Sequence, residues 1–332
     1  MPELPDVTVY VDRLASYTLG QRLERLAIVK PFVLRTAEPP VAIAEGRRVV
    51  DVHRLGKRIV LALEGDLHLV LHLMIAGRLR WRATPEITMG GAGQRDGTPS
   101  ATDDQHATTP AQRRRSTPRP AMPPRIAARL ILATFHFPAG TLYFTEAGTT
   151  RRASLHLVLG AAALATFDRG GLEVLDTDLA QFAARLQSEN HTLKRALTDP
   201  RLFSGIGNAY SDEILHRARL SPLALTTRLP SSDVERLHAA SRMVLTEWTD
   251  RLRGETGSAF PETVTAFREG MAVHGRFGQP CPVCGAPVQR IRYAANETNY
   301  CARCQTGGRL LADRALSRLL KQDWPRSIDE ID

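Results

Sequence analysis

The cysteines constrain this chain more than any other feature. It has four, Cys281, Cys284, Cys301 and Cys304, arranged as two C-x-x-C pairs separated by 16 residues. Thiolates are soft ligands, and two facing knuckles supply the four sulfurs of a tetrahedral Zn²⁺ site. Four protein ligands fill the coordination shell, so the metal expected here is structural rather than catalytic. The intervening "QRIRYAANETNY" can form a β-hairpin, which predicts a zinc ribbon. Disulfide or redox pairing is the competing reading; no stretch resembles a secretory signal, and in the cytoplasmic chain this leads one to expect, such pairing is disfavoured.

Upstream the pattern is that of strands. "VVDVH" (Val49 to His53), "RIVLAL" (Arg58 to Leu63) and "LHLVLHLM" (Leu67 to Met74) are short apolar runs broken by "RLGK" and "EGD". They predict an antiparallel sheet. A second hairpin runs over "RLILATFHF" (Arg129 to Phe137), a "PAG" turn and "TLYFTE" (Thr141 to Glu146), and "RRASLHLVLG" (Arg151 to Gly160) is read as continuing that hairpin's sheet. Together these predict a β-sandwich over residues 1–168. Residues 85–124 interrupt it: seven of the 21 prolines and the run Arg113-Arg114-Arg115 fall there without periodicity, the signature of a disordered insertion.

After a linker at 169–178 the period becomes helical. Leu179, Phe182, Ala183 and Leu186 follow the i, i+3, i+4, i+7 spacing, and Val234, Leu237, Ser241, Val244, Leu245, Trp248 and Leu252 lie on one face of a longer helix. Ser232 and Glu235 are read as its capping box. A helical domain over 179–275 and a ribbon with tail over 276–332 complete an α+β multidomain chain. In the tail, Leu310, Leu311, Ala315, Leu316, Leu319 and Leu320 suggest a helix packed on the ribbon.

Charge points to the partner. Forty-four Lys and Arg against 35 Asp and Glu leave +9, with a pI near 9.9, which favours a polyanion such as nucleic acid. No run of roughly 18 apolar residues is present, so no membrane span is expected. A cytoplasmic, monomeric protein is the expectation.

Two further stretches carry chemistry. In "FSGIGNAYSDEIL", Gly205 and Gly207 permit a tight turn, and Asn208 is read as the cap of a helix beginning near Ala209. The backbone N–H groups at that helix start would point at an anion, such as a phosphate. The chain opens "MPELPDV". Removal of Met1 would leave Pro2 as a secondary amine, and an α-amino group has a pKa of about 8 against about 10.4 for lysine. Such an amine can attack a sugar C1′ and form an iminium, with Glu3 beside it to shuttle protons. Lys57, in the turn "RLGKR", is placed to donate a proton or to contact a phosphate. Taken singly, each of these residues also has a plain structural explanation.

Their order along the chain is more informative. "MPELPDV", "LGKRIVL" around Lys57, "HLMIAGRL" from His72, "SGIGNAYSDEIL" from Ser204 and the ribbon from Cys281 together resemble the formamidopyrimidine-DNA glycosylase/endonuclease VIII family. The resemblance covers nearly all of the chain outside 85–124 and the tail. It implies a β-sandwich, a helix–two-turn–helix domain and a zinc finger, and a bifunctional glycosylase/AP lyase acting on damaged duplex DNA. Pro2 is then the Schiff-base nucleophile and Glu3 the proton donor at the glycosidic bond or sugar. Lys57 becomes the proton donor or phosphate ligand of β-elimination, and Asn208 a phosphate contact. Ile75 stands at the family's wedge position, and Arg151 and Arg152 match its paired arginines on the intercalation loop. Arg290 and Arg292 decorate the hairpin, where they suit phosphate contact.

There are departures. Asp6 replaces the usual glutamate. Ala153 stands where many members carry a phenylalanine wedge. Asn296 stands where the hairpin arginine assigned to δ-elimination would be, and an asparagine carries no charge, so strand cleavage by β-elimination is expected. These departures also motivate the alternative, a non-catalytic paralogue that binds lesions or DNA structure.

Overall fold

The computed structural model describes residues 1–84, 126–148, 150–262, 268–293, 296–312, 319 and 325–330. The insertion at 85–124, the Asn296 side chain and, in the tail's apolar stripe, Ala315, Leu316 and Leu320 lie outside the described residues; Leu319 is described and is 77% exposed, not packed on the ribbon. Leu310 and Leu311 are described, and both are buried against Ile291 and Tyr300 of the ribbon.

The chain begins with a helix that the opening prolines concealed. α1 (Leu4–Thr18) starts at the fourth residue, with Pro5 tolerated in its first turn, where no intrahelical N–H is needed. Val7, Tyr10 and Leu14 form its buried stripe. The helix packs on the sandwich, while Leu4 at its start joins the core of the helical unit.

The sandwich consists of two four-stranded antiparallel sheets. β1 (Arg25–Ile28), β6 (Ile131–Phe137), β7 (Gly140–Glu146) and β5 (Gly77–Ala83) form one in the order β1-β6-β7-β5. β2 (Val49–Leu55), β3 (Arg58–Leu63), β4 (Leu67–His72) and β8 (Ser154–Leu159) form the other in the order β2-β3-β4-β8. Ile59, Leu61, Leu69 and Leu71 meet Leu79, Phe135, Leu142 and Phe144 between them. The opposite face of the second sheet is also covered: Val60, Val70 and Val158 pack beneath Ala163, Leu164 and Phe167. Burial on both faces explains why β3 and β4 read as unbroken apolar runs. Truncating a central residue such as Leu61 would destabilise the sandwich by about 2–5 kcal/mol.

One expectation about the sheets is corrected. β8 does not extend the second hairpin; it pairs with β4 in the register Leu71↔Leu155. In that register Leu155 and Leu157 of β8 continue the buried face of Leu69 and Leu71 into the core between the sheets. The chain switches sheets at the turn after β4. Met74 there has φ 52°, and a Cβ on Gly77 would lie 2.2 Å from the Leu73 carbonyl oxygen, so only glycine allows β5 to leave at that angle.

The helical unit comprises α3 (Leu179–Gln187), α4 (Leu193–Thr198), α5 (Asn208–Ala218) and α6 (Ser231–Thr256), after a short α2 (Ala161–Ala165) that follows the sandwich. All seven residues foreseen on the long helix face are buried in α6. Its start was misplaced. The N-cap is Pro230, and no side-chain capping bond forms, because the first turn begins at Ser231 and so places Ser232 inside the helix. The ribbon follows as β9 (Gln289–Tyr293), β10 (Asn296–Tyr300) and α7 (Ala302–Thr306). Among the described residues no helix is long and apolar enough to cross a membrane.

Candidate active site and nucleic-acid interface

Glu3 is the centre of the site. It is 3% exposed, and its carboxylate accepts hydrogen bonds from the backbone N–H groups of Gly207 (2.7 Å), Ala209 (2.9 Å) and Tyr210 (3.2 Å). These are the orphan donors at the start of α5, where the helix dipole favours negative charge. The anion expected at this helix start is therefore the chain's own third residue. Asn208 is not the cap. It is the first residue of α5, its N-cap is Gly207, and its Nδ2 donates to the Glu297 carbonyl of β10 at 2.7 Å. Asn208 thus ties the glycine turn to the ribbon.

The glycines now have specific reasons. A Cβ on Gly207 would sit 2.5 Å from Glu3 Oε1 and 2.6 Å from Lys57 Nζ. The carboxylate and the ammonium therefore converge on one point of bare backbone. Gly205, at φ +77°, accepts the Leu4 N–H at 2.9 Å through its carbonyl. The start of the chain is stitched to the helical unit by both backbone and side chain.

Lys57 is half-buried in the β2–β3 turn. Burial lowers its pKa and Lys194 adds to this, while Glu3 opposes it. The turn is held by Arg54, whose Nη1 donates to the Gly56 carbonyl (2.8 Å) and to Ser204 Oγ (3.3 Å), and which pairs with Glu173. Ser204 also donates to Glu173. Lys194 closes the other side, reaching the Asn208 carbonyl at 2.7 Å and the fully buried Asp212 at 2.6 Å.

Lys57 and Met1 line a cavity of about 310 Å³ together with His72, Phe167, Arg169 and Ser204. Pro2 is buried directly behind Met1. The Met1 α-amino group is pushed below its ordinary value by burial, opposed by Glu3 and assisted by Arg78. His72 also belongs to the site, a residue to which the sequence motifs give no role. It ends β4 opposite Arg58, and burial, with Arg58, Lys57 and His156, lowers its pKa to about 4. A polar residue closing the apolar run "LHLVLH" was the available signal.

Asp6 is the second buried acid. Its Oδ2 accepts the Glu3 backbone N–H at 2.9 Å, and its Oδ1 pairs with Arg268 Nη2 at 2.7 Å. Burial raises its pKa, and Arg268 opposes this. The shorter side chain is thus met by an arginine from the segment beyond α6, a partner the sequence did not reveal.

The surface residues fall into two groups. Ile75 is 65% exposed at the tip of the β4–β5 turn. The Ala147 N–H reaches the Ala76 carbonyl at 3.4 Å, which sets that turn beside the segment carrying the exposed Arg151 and Arg152. Arg151 lies over the Phe32 ring, 5.4 Å from its centroid. Ala153 is no truncated wedge: it is fully buried, and its N–H and that of Arg152 both bind Glu146. On the ribbon, Arg290 stacks over Phe277 at 3.9 Å, and both Arg290 and Arg292 lie 3.5 Å from Glu297.

The four cysteine sulfurs lie within 4.8 Å of one another. Cys281–Cys304 is 3.9 Å and Cys284–Cys301 is 3.4 Å, longer than a disulfide's roughly 2.05 Å. Zinc–sulfur bonds of about 2.3 Å in a tetrahedron require sulfur–sulfur edges of about 3.8 Å. The donor set and its spacing fit one structural zinc ion.

Known proteins resemble this chain in sequence and fold. Residues 1–117 match the formamidopyrimidine-DNA glycosylase N-terminal domain, 171–258 its H2TH domain, and 278–307 a zinc finger found in FPG and IleRS. The formamidopyrimidine-DNA glycosylase of Thermus thermophilus is 34% identical over 320 residues, 93% of this chain and 100% of its own length. An uncharacterized formamidopyrimidine-DNA glycosylase-like protein of Mycobacterium tuberculosis is 42% identical over 151 residues, 46% of this chain and 94% of its own. Among solved structures, the MutM (FPG) protein of Thermus thermophilus gives a TM-score of 0.66 at 31% identity, covering 92% of this chain and 98% of its own. Lactococcus lactis Fpg in complex with abasic-site DNA gives 0.71 at 23%, a likeness of fold, covering 92% and 99%. With all three domain matches in order and a full-length relative at this identity, the chain belongs to the formamidopyrimidine-DNA glycosylase family and is a DNA-repair glycosylase.

Proposed function

We propose that the protein is a bifunctional DNA glycosylase/AP lyase that excises oxidised bases from duplex DNA and nicks the strand by β-elimination. The observation that carries this reading is the convergence on Gly207 of Lys57 and of Glu3, the residue that follows Pro2. The chemistry begins with Met1 removed. The Pro2 nitrogen attacks C1′ of a nucleotide flipped out of the duplex, and the C1′–N bond breaks as the base departs with its electron pair. Glu3 donates a proton at the glycosidic bond or at the sugar ring oxygen; loss of the Pro2 proton leaves a neutral aminal, and its nitrogen lone pair then forms the C1′=N⁺ iminium as the C1′–O4′ bond breaks and O4′ is protonated. The iminium acidifies C2′; loss of that proton expels the 3′ phosphate as the C3′–O bond breaks. Water then releases the enzyme. Lys57 donates a proton in this elimination or holds a flanking phosphate.

In this reading residues 1–168 form the catalytic domain, 179–275 the DNA-binding helices and 276–332 the ribbon, held by one structural Zn²⁺. Duplex DNA lies against Ile75, Arg151, Arg152, Asn208, Arg290 and Arg292. Ile75 fills the space left by the flipped nucleotide. The protein acts as a monomer in the cytoplasm, at the nucleoid in a bacterium. The test is incubation with an oxidised-base duplex and resolution of the products on a denaturing gel. Base loss with a 3′ unsaturated aldehyde end is expected. Tight binding without base loss or nicking would remove the enzymatic reading.

A further inference from the structure

Helix α5 is fastened at both ends. Its first residues hold Glu3. Two turns on, His216 is 6% exposed, and its Nε2 lies 3.3 Å from Cys281 Sγ. Just past the helix, the Leu220 carbonyl accepts Gln305 Nε2 at 2.9 Å, and Gln305 Oε1 accepts the Cys301 N–H at 2.8 Å. The end of α5 and the turn after it thus reach both cysteine knuckles, the first directly at a sulfur and the second through the side chain of Gln305.

The direction of the first contact follows from the chemistry of the sulfur. A cysteine bound to zinc has lost its proton and only accepts hydrogen bonds. The 3.3 Å contact is then a hydrogen bond only if Nε2 carries the hydrogen. Four thiolates around Zn²⁺ leave a net charge of −2, and donors to the sulfurs spread that charge. Besides His216, the Cys304 N–H approaches Cys301 Sγ at 3.5 Å.

We propose that His216 is an outer-sphere residue of the zinc site, donating Nε2–H to the Cys281 thiolate and so joining retention of the metal to helix α5. Nothing in the cysteine spacing announces it, since His216 lies 65 residues before Cys281. It is a positioning residue and touches no DNA in the proposed reaction.

The test uses the full-length, zinc-loaded protein without DNA, so it is independent of the proposed chemistry. His216→Phe keeps a planar ring and removes the donor; His216→Gln keeps an N–H. Transfer of zinc to a chromophoric chelator at fixed pH gives the rate of loss, and the thiolate-to-metal charge-transfer band of the cobalt-substituted protein reports the sulfur's electron density. Loss of such a partner commonly weakens metal binding by about 10–100-fold. We expect His216→Phe to release zinc faster by a factor in that range and to shift the cobalt band, with His216→Gln closer to wild type. Wild-type retention and an unshifted band in His216→Phe would overturn the proposal. Should that variant fail to fold, the wild-type protein decides. Nitrogen NMR of zinc-loaded chain should show His216 protonated at Nε2, and an Nδ1–H tautomer with bare Nε2 would contradict the proposal.

Discussion

Replacing Glu3 with glutamine exchanges one oxygen for an NH₂ group, and the geometry makes that exchange severe. Gly207 and Tyr210 donate to Oε2, and Ala209 donates to Oε1. A glutamine that keeps its oxygen at the Oε2 position retains two of these bonds and turns its NH₂ towards the Ala209 N–H. The opposite flip retains one bond and confronts two donors. Either way, at least one buried N–H loses its acceptor, which destabilises the fold by about 1–3 kcal/mol. Each kcal/mol lowers Tm by roughly 2–4 °C for a domain of 150–250 residues. The proton-donating role would be lost as well, and general acid–base catalysis contributes about 10²–10⁴-fold. Differential scanning calorimetry and single-turnover excision from an oxidised-base duplex measure the two effects separately. Glu3→Gln should melt several degrees lower and excise at least about 100-fold more slowly. A variant with wild-type Tm would show that the contacts at the α5 terminus contribute nothing, and wild-type excision would remove Glu3 from the chemistry.

Other outcomes follow from the same geometry. Arg268→Met leaves the buried Asp6 without its cation, and loss of one partner of a buried pair destabilises by about 3–5 kcal/mol; chemical denaturation should show it, and an unchanged midpoint would mean that Asp6 is satisfied by the Glu3 N–H alone. His72 is held near 4 by burial, Arg58, Lys57 and His156, against about 6.5 when free. Between those values the unfolded chain binds more protons, so stability is lost as pH falls from about 6.5 towards 4. His72→Gln should flatten the dependence of Tm on pH in that window, and an unaltered slope would place the loss elsewhere. Ile75→Ala, at an exposed tip, should leave stability within about 0.5 kcal/mol of wild type yet slow excision from duplex more than from a pre-unstacked lesion. Equal slowing on both substrates would count against a wedge.

What the sequence disclosed was local, and what it concealed was distant. The zinc knuckles were readable because each pair lies within four residues, and the two pairs are joined by one hairpin. β3 was readable end to end because both of its faces are buried and the run is therefore uninterrupted. The start of α5 was only half readable. Its glycines and asparagine marked a helix entry, but the group that satisfies its amides lies over 200 positions away at Glu3. Asn208 was free for a different task on the ribbon as a result. α1 was hidden by the prolines that open it, although its stripe of Val7, Tyr10 and Leu14 has helical spacing. The sheet to which β8 belongs depended on which strand edge remained open, which no local pattern encodes. Ala153 read as a missing wedge only until its burial showed that it faces the core.

In the proposed reaction the amine of Pro2, freed by loss of Met1, forms a covalent bond to the sugar. That step is tested most directly by borohydride reduction of the untagged protein on a duplex with one abasic site, followed by digestion and mass spectrometry of the peptide that carries the sugar. The adduct is expected on the Pro2 nitrogen and should be lost when retained Met1 blocks the amine. An adduct on Lys57 or Lys194, or none from protein verified to begin at Pro2 and to bind the duplex, would contradict it.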